Sequence, residues 1–133
     1  MLKRILIVDD DIELLEIMEE ALTYYGFNVK AVLNASGIMN IIYDFKPDII
    51  LLDNVLPGER GVDVCAKVRR DKVFTDLPVI LITAYPELDP SGYFNFLLHK
   101  PFDLDILVEK INELLEDVKK DELVSNNDPE QSA

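Results

Sequence analysis

The stretch Asp48-Ile49-Ile50-Leu51-Leu52-Asp53 is apolar without a break between its two acids. Continuous rather than alternating apolarity suits a strand covered on both faces, the kind found inside parallel sheets. Two other runs repeat the pattern: Ile5–Val8, closed by Asp9-Asp10-Asp11, and Pro78–Thr83. Between the runs the period changes. Leu14, Leu15, Met18, Ala21, Leu22 and Tyr25 recur three and four apart, which predicts an amphipathic helix over 11–25 with Gly26 at its C-cap. Phe27–Leu33 suggests a second strand. Ser36 is a candidate cap for a helix to about Phe45, with a restart at Pro47. Pro57-Gly58 and Gly61 lead into a short helix through Val64, Cys65 and Val68, whose basic end, Lys67, Arg69 and Arg70, suits a helix C-terminus. Phe94–Leu98 is a possible fifth strand, and from Asp103 the helical period returns through Leu104, Leu107, Val108, Ile111, Leu114, Leu115 and Val118. Strands alternating with helices at this spacing predict a parallel sheet with helices on both faces.

The segment Ala84–Ser91 is the weak part of this pattern. Pro86, Pro90 and Gly92 bracket too few residues for a crossover helix of three turns, so the fourth helix is expected to be short or missing. The polar stretch after Leu123-Val124 is expected to be disordered, which divides the chain into one domain over 1–122 and a tail over 123–133.

A chain of 133 residues is the size of one domain with a core of its own. Thirteen Lys and Arg against 26 Asp and Glu leave a formal charge of −13, which disfavours DNA, RNA or an anionic membrane as a partner. A single cysteine excludes an internal disulfide and a cysteine-based metal centre, and Cys65 is expected to be a buried small hydrophobe. The first apolar run is too short for a signal peptide, and no run approaches the ~18 apolar residues of a membrane span. These features fit a soluble, cytoplasmic protein.

In an open parallel sheet, ligands bind beyond the carboxyl ends of the strands. Here those ends carry Asp9 and Asp10, Asp53, Thr83, and His99-Lys100-Pro101. Neither the glycines of a dinucleotide fingerprint nor a P-loop is present. Each residue alone has a plain structural reading: an acid after a strand is often a helix cap, which is the role expected of Asp11, and a lone lysine is commonly solvated. Their joint placement at successive strand ends is harder to explain that way. Three crowded carboxylates repel one another unless a hard cation such as Mg²⁺ relieves them. A metal there could bridge to a phosphoryl oxygen, with Lys100 and Thr83 meeting others and Asp53 serving as the nucleophile of an aspartyl phosphate.

Ile5-Leu6-Ile7-Val8-Asp9-Asp10, Pro47–Asp53 followed by Leu56-Pro57-Gly58 and Gly61, Ile82-Thr83-Ala84, and Lys100-Pro101-Phe102 together resemble the CheY-like receiver domain of two-component response regulators, over about residues 3–120. The resemblance implies a three-layer, doubly wound, flavodoxin-like α/β fold with a five-stranded parallel sheet of order 2-1-3-4-5. It implies that Asp9 and Asp10 hold Mg²⁺ (or Mn²⁺) with Asp53 and the backbone carbonyl of Val55, that Asp53 is the phospho-acceptor, and that Lys100 contacts the phosphoryl group. Thr83 would be the switch hydroxyl, Ala84 a small neighbour of the phosphoryl position, and the Lys100–Pro101 bond cis. The implied donor is a phosphohistidine on a sensor histidine kinase or histidine phosphotransfer protein. Output would pass through the face made by the fourth helix, fifth strand and fifth helix, to a downstream protein or a second copy of the chain. The domain would catalyse only its own phosphorylation and dephosphorylation.

Two features depart from that pattern. The interval from Thr83 to Lys100 is short, and the usual aromatic three places before the lysine is Leu97, with Phe96 one place earlier. Because strand side chains alternate, Phe96 cannot replace it without a slip or bulge. The switch and interface residues are therefore taken as Thr83, Phe96, Leu97 and Pro101. The cluster Phe94, Phe96, Leu97 and Leu98 either enters the core or leaves an apolar patch for a homodimer. Val55 and Tyr85 lie where they could restrict an attacking water, which suggests slow dephosphorylation. The leading function is a phosphorylatable receiver signalling through protein contacts. The rivals are a non-phosphorylated pseudo-receiver that binds a partner, and a Mg²⁺-dependent hydrolase, for which the sequence offers no separate acid/base.

Overall fold

The structure is a computed structural model and describes residues 1–85 and 93–126. In chain order the elements are β1 (Arg4–Val8), α1 (Ile12–Tyr24), β2 (Asn28–Val32), α2 (Ile38–Phe45), β3 (Ile49–Asp53), β4 (Val55–Leu56), β5 (Glu59–Arg60), α3 (Gly61–Arg70), β6 (Val79–Thr83), β7 (Phe96–His99) and α4 (Leu104–Asn126). Five strands form one parallel sheet of order β2-β1-β3-β6-β7, which is the expected 2-1-3-4-5 arrangement of its members.

The continuous apolar runs became the inner strands. Every residue of β3 and β6 is buried, because each strand is covered on both faces. Alternation then sorts their side chains. Leu6, Val8, Ile50, Leu52, Val79 and Leu81 face α2 and α3, where Ile38, Ile42, Val64 and Val68 join them. Ile5, Ile7, Ile49, Leu51, Ile80 and Ile82 face α1 and α4, against Leu15, Met18, Leu22, Leu107 and Ile111. Each fully buried Ile or Leu contributes roughly 1.5–3 kcal/mol of transfer free energy. The edge strand β2 keeps Asn28 and Lys30 exposed, which discourages pairing with another chain.

Several boundaries moved. Gly37, in a left-handed conformation at φ 64°, precedes α2 and makes no side-chain cap, so Ser36 is not the cap. The chain turns through 35–38 on a backbone bond from Ile38 N–H to the Ala35 carbonyl, which delays the helix. β7 begins at Phe96 rather than Phe94. The helix α4 runs through Asn126, four residues into the segment expected to be a tail, while 127–133 lie outside the described residues. The short hairpin β4–β5, turned at Gly58 with φ 77°, had no apolar signal to announce it. Among the described residues there are four helices; the expected short or missing fourth helix falls on the β6–β7 crossover, of which 86–92 lie outside the described residues. No described helix is long and apolar enough to cross a membrane.

Phe94 and Leu97 pack against the α2–α3 core, whereas Phe96 and Leu98 belong to the α1–α4 core. Pairing of Ile80 with Phe96 and Thr83 with His99 is regular, without slip or bulge. Phe96 therefore lies on the face opposite Leu97, under the Lys110 ammonium at 4.9 Å from the ring centre.

Gly61 opens α3 against the end of β3. A β-carbon there would stand 2.6 Å from the Asp53 carbonyl oxygen and 2.8 Å from Asn54 Cα, both backbone atoms that cannot swing aside. Gly61→Ala is expected to cost about 2 kcal/mol or more in urea denaturation, since α3 must retreat from the strand that carries Asp53. A loss below about 0.5 kcal/mol would show that the helix is not held against that strand.

Candidate functional site

The carboxyl ends of β1, β3 and β7 converge at the edge of the sheet. Asp9 follows Val8 and is 1% exposed, Asp53 ends β3 at 6%, and Asp10 is exposed. By alternation Asp9, Asp53 and Lys100 all lean to the α1–α4 face. The Lys100 ammonium consequently stands between two carboxylates, 3.2 Å from Asp9 Oδ2 and 3.3 Å from Asp53 Oδ2. Carboxylate oxygens of Asp9, Asp10 and Asp53 lie within 4.8 Å of one another. The set is all oxygen, with one exposed member that leaves room for water, and is positioned for a divalent cation such as Mg²⁺ or Mn²⁺.

Local hydrogen bonds hold the two buried acids. Asp9 Oδ1 accepts from Asp11 N–H at 2.9 Å, and Asp53 Oδ1 accepts from Val55 N–H at 3.2 Å. Asp11 caps α1 through Leu14 N–H at 3.2 Å and stays outside the cluster. Thr83 is fully buried beside the site, but it leans to the α2–α3 face, and its hydroxyl accepts from Tyr85 N–H at 3.0 Å. Pro101 follows a cis peptide bond, and Leu97 and Phe96 sit on opposite faces of β7, away from the acids. Cys65 is buried on α3, with its thiol pushed up to about 11 by burial, so it is an inert core group.

Asn54 carries a role that its position in the sequence did not suggest. Its N–H donates to the Ile82 carbonyl at 2.9 Å, its carbonyl accepts from Gly61 N–H at 2.8 Å, and its Oδ1 accepts from Val62 N–H at 3.2 Å. The residue after Asp53 thus ties β3 to β6 and caps α3 across the hairpin. An asparagine is a capping residue type, yet its partner lies eight positions on, beyond any local window.

Matches to known proteins follow this geometry. Residues 5–112 match the family model described as the response regulator receiver domain. The chain belongs to the receiver-domain family of response regulators. It is 39% identical over 119 residues to the phosphate regulon transcriptional regulatory protein PhoB of Pseudomonas aeruginosa, covering 85% of this chain and 52% of that one. It is 31% identical to the DNA-binding regulator RpaA of Synechocystis, covering 84% and 48%. The receiver spans about half the length of the curated relatives it matches. Among solved structures, a CheY-like receiver protein from Methanospirillum hungatei superposes with a TM-score of 0.83 at 29% identity, covering 91% of this chain and 99% of that one. The response regulator TrrA of Thermotoga maritima, in complex with Mg²⁺ and BeF, gives 0.77 at 31% identity, covering 85% and 99%. The acid cluster is the arrangement of receiver phospho-acceptor chemistry, in which the domain acts on itself rather than turning over a substrate.

Burial raises the Asp53 carboxyl above its ordinary range; Val55 N–H opposes this, Asp9 reinforces it and Lys100 opposes it. An acid whose pKa is raised on folding loses stability when it ionises, above its unfolded pKa. Without metal at pH 7, Asp53→Asn is expected to stabilise the receiver by roughly 1 kcal/mol, a few degrees in Tm. The gain should vanish in acid, where Asp53 is protonated anyway, and millimolar Mg²⁺ should stabilise the native protein more than the variant. An equal or lower Tm for the variant in EDTA would contradict the crowding of these acids. Burial works against the Lys100 charge, but Asp9 and Asp53 outweigh it and raise its pKa, so that contribution persists through neutral pH and is lost only in alkali.

Proposed function

We propose that Asp53 accepts a phosphoryl group from a phosphohistidine on a sensor kinase or phosphotransfer protein. The observation that carries this reading is the buried Asp53 carboxylate held between the Lys100 ammonium and two further acids. A carboxylate oxygen of Asp53 attacks phosphorus, the P–N bond to the imidazole breaks, and its electron pair stays on that nitrogen, so that the ring, carrying a proton on its other nitrogen, leaves as neutral histidine. Asp9, Asp10, Asp53 and the Val55 carbonyl would hold Mg²⁺, which supplies charge neutralisation at the phosphoryl oxygens. Lys100 exchanges its carboxylate partners for a phosphoryl oxygen. Thr83, oriented by Tyr85 N–H, keeps its own proton free to donate to another.

The donor has a surface to use. A groove of about 470 Å³, lined by Leu14, Ile17, Met18, Pro101, Phe102 and Leu104, opens beside Lys100 and Asp11. It supports docking of an apolar segment next to the reacting carboxylate. Output is proposed to pass to a downstream protein, with a second copy of the chain as the alternative partner that sedimentation of the phosphorylated form would reveal. Nucleic acid is not proposed as a ligand of this acidic domain. With Leu97 and Phe96 on opposite faces of β7, an aromatic ring turning toward Thr83 is not part of the proposed response.

Incubation with acetyl phosphate should add one phosphoryl mass of about 80 Da that requires Mg²⁺ and is absent from Asp53→Asn. No adduct on folded protein with several donors would favour the pseudo-receiver. Val55 and Tyr85, each two places beyond the strand-end residues Asp53 and Thr83, are 49% and 58% exposed. The adduct is expected to persist for minutes or longer, and replacing both with alanine should shorten its life several-fold by admitting water; a native lifetime of seconds would defeat that expectation.

A further inference from the structure

The edge strand β7 carries Lys100 at its end and, among the described residues, has only β6 for a neighbour. Its register decides the site. A shift of one residue would move Lys100 by about 3.3 Å and turn its side chain to the opposite face, away from Asp9 and Asp53. At the far end Lys100 N–H donates to the Thr83 carbonyl at 2.8 Å. At the near end, the residue just before the strand makes a denser set of bonds. Asn95 N–H donates to the Val79 carbonyl at 2.8 Å, while Asn95 Oδ1 accepts from Val79 N–H at 2.9 Å and from Arg69 Nη2 at 2.7 Å. Both backbone groups of Val79 are thereby engaged by one asparagine.

Arg69 reaches this point from the last turn of α3. Its Nη1 donates to the Leu77 carbonyl at 2.6 Å and the Thr75 carbonyl at 3.3 Å, and its own carbonyl accepts from the Thr75 hydroxyl at 2.8 Å. The half-buried guanidinium thus spends its donors on two neutral carbonyls and one amide oxygen rather than on a carboxylate. The same helix begins at Gly61, in contact with the Asp53 carbonyl. One end of α3 rests on the strand that bears the acceptor; the other grips the start of the strand that bears the lysine.

We infer that Asn95 and Arg69 are positioning residues for phosphoryl transfer, clamping β7 in the register that places Lys100 over Asp53. Neither touches the reacting atoms, and their effect passes through Lys100 alone. The metal-binding acids sit on β1 and β3, outside the clamp, so their affinity for a cation should not depend on it.

The inference rests on Asp53 being the acceptor, and its test separates the two. Asn95→Ala in the full chain should slow phosphorylation by acetyl phosphate at saturating Mg²⁺ by about fivefold or more, leaving the Kd for Mg²⁺ unchanged. The loss should be absent in a Lys100→Met background, because the two residues act on one step. Asn95→Asp, which keeps the acceptor for Val79 N–H and Arg69, should restore the rate. Arg69→Lys, which removes the planar fork, should mimic Asn95→Ala and serves if that variant does not fold. Equal losses of rate and Mg²⁺ affinity, or losses that add in the Lys100→Met background, would overturn the clamp in favour of general destabilisation. Hydrogen exchange of the Asn95 and Lys100 amides provides an arm independent of phosphoryl chemistry. Faster exchange at both in Asn95→Ala, with Ile5–Val8 unaffected, supports the clamp; unchanged exchange at Lys100 refutes it. If the native chain takes up no phosphoryl group, the acceptor reading fails while the exchange result still decides the register.

Discussion

The Lys100 ammonium stands between two buried carboxylates, and most of the fold can be understood as the means of bringing it there. Asp9, Asp53 and Lys100 come from three strands that are not adjacent in sequence, and all three lean to one face only because the registers of β1, β3, β6 and β7 agree. A slip in any of them would send one charge to the opposite side of the sheet. The unbroken apolar packing of the inner strands holds those registers, since each strand has both faces buried and either displacement would expose or misplace a row of Ile and Leu.

That arrangement is costly on its own. One lysine faces two buried acids and a third exposed one, so the site retains excess negative charge even with the ion pairs made. Burial raises the Asp53 carboxyl, and Lys100 only partly offsets it. A hydrophobic replacement would make a more stable protein, which is why the cluster is better understood as a functional feature than a structural one. The hydrogen bonds around it, from Asp11 N–H to Asp9, from Val55 N–H to Asp53 and from Val62 N–H to Asn54 Oδ1, orient the acids and their loops without neutralising them.

The surroundings of Thr83 and β7 are organised differently. Thr83 belongs to the α2–α3 face, with Leu97 on the neighbouring strand, and Phe96 is engaged from the other side by Lys110. No aromatic ring of β7 shares the face of Thr83, since Phe96 packs on the side of α1 and α4.

Much of this was legible in the residues alone. Continuous apolar runs ending in acids determine buried parallel strands, because a strand covered on both faces leaves no position for a polar side chain until it emerges. Period two then determines that Phe96 and Leu97 point apart, as they do. Asp11 as a cap and Cys65 as core follow from local position and chemistry. What required the tertiary structure were contacts whose partners are remote: Asn54 capping α3 across a hairpin, Gly61 pressed on the Asp53 carbonyl, and Asn95 joined to Arg69 across 26 positions. Ser36 looked like a cap because the residue type was right, but the turn through Gly37 displaced the helix start. Sequence patterns report which face a residue prefers; which polar groups meet across elements depends on how the layers are packed, and no local window contains that information.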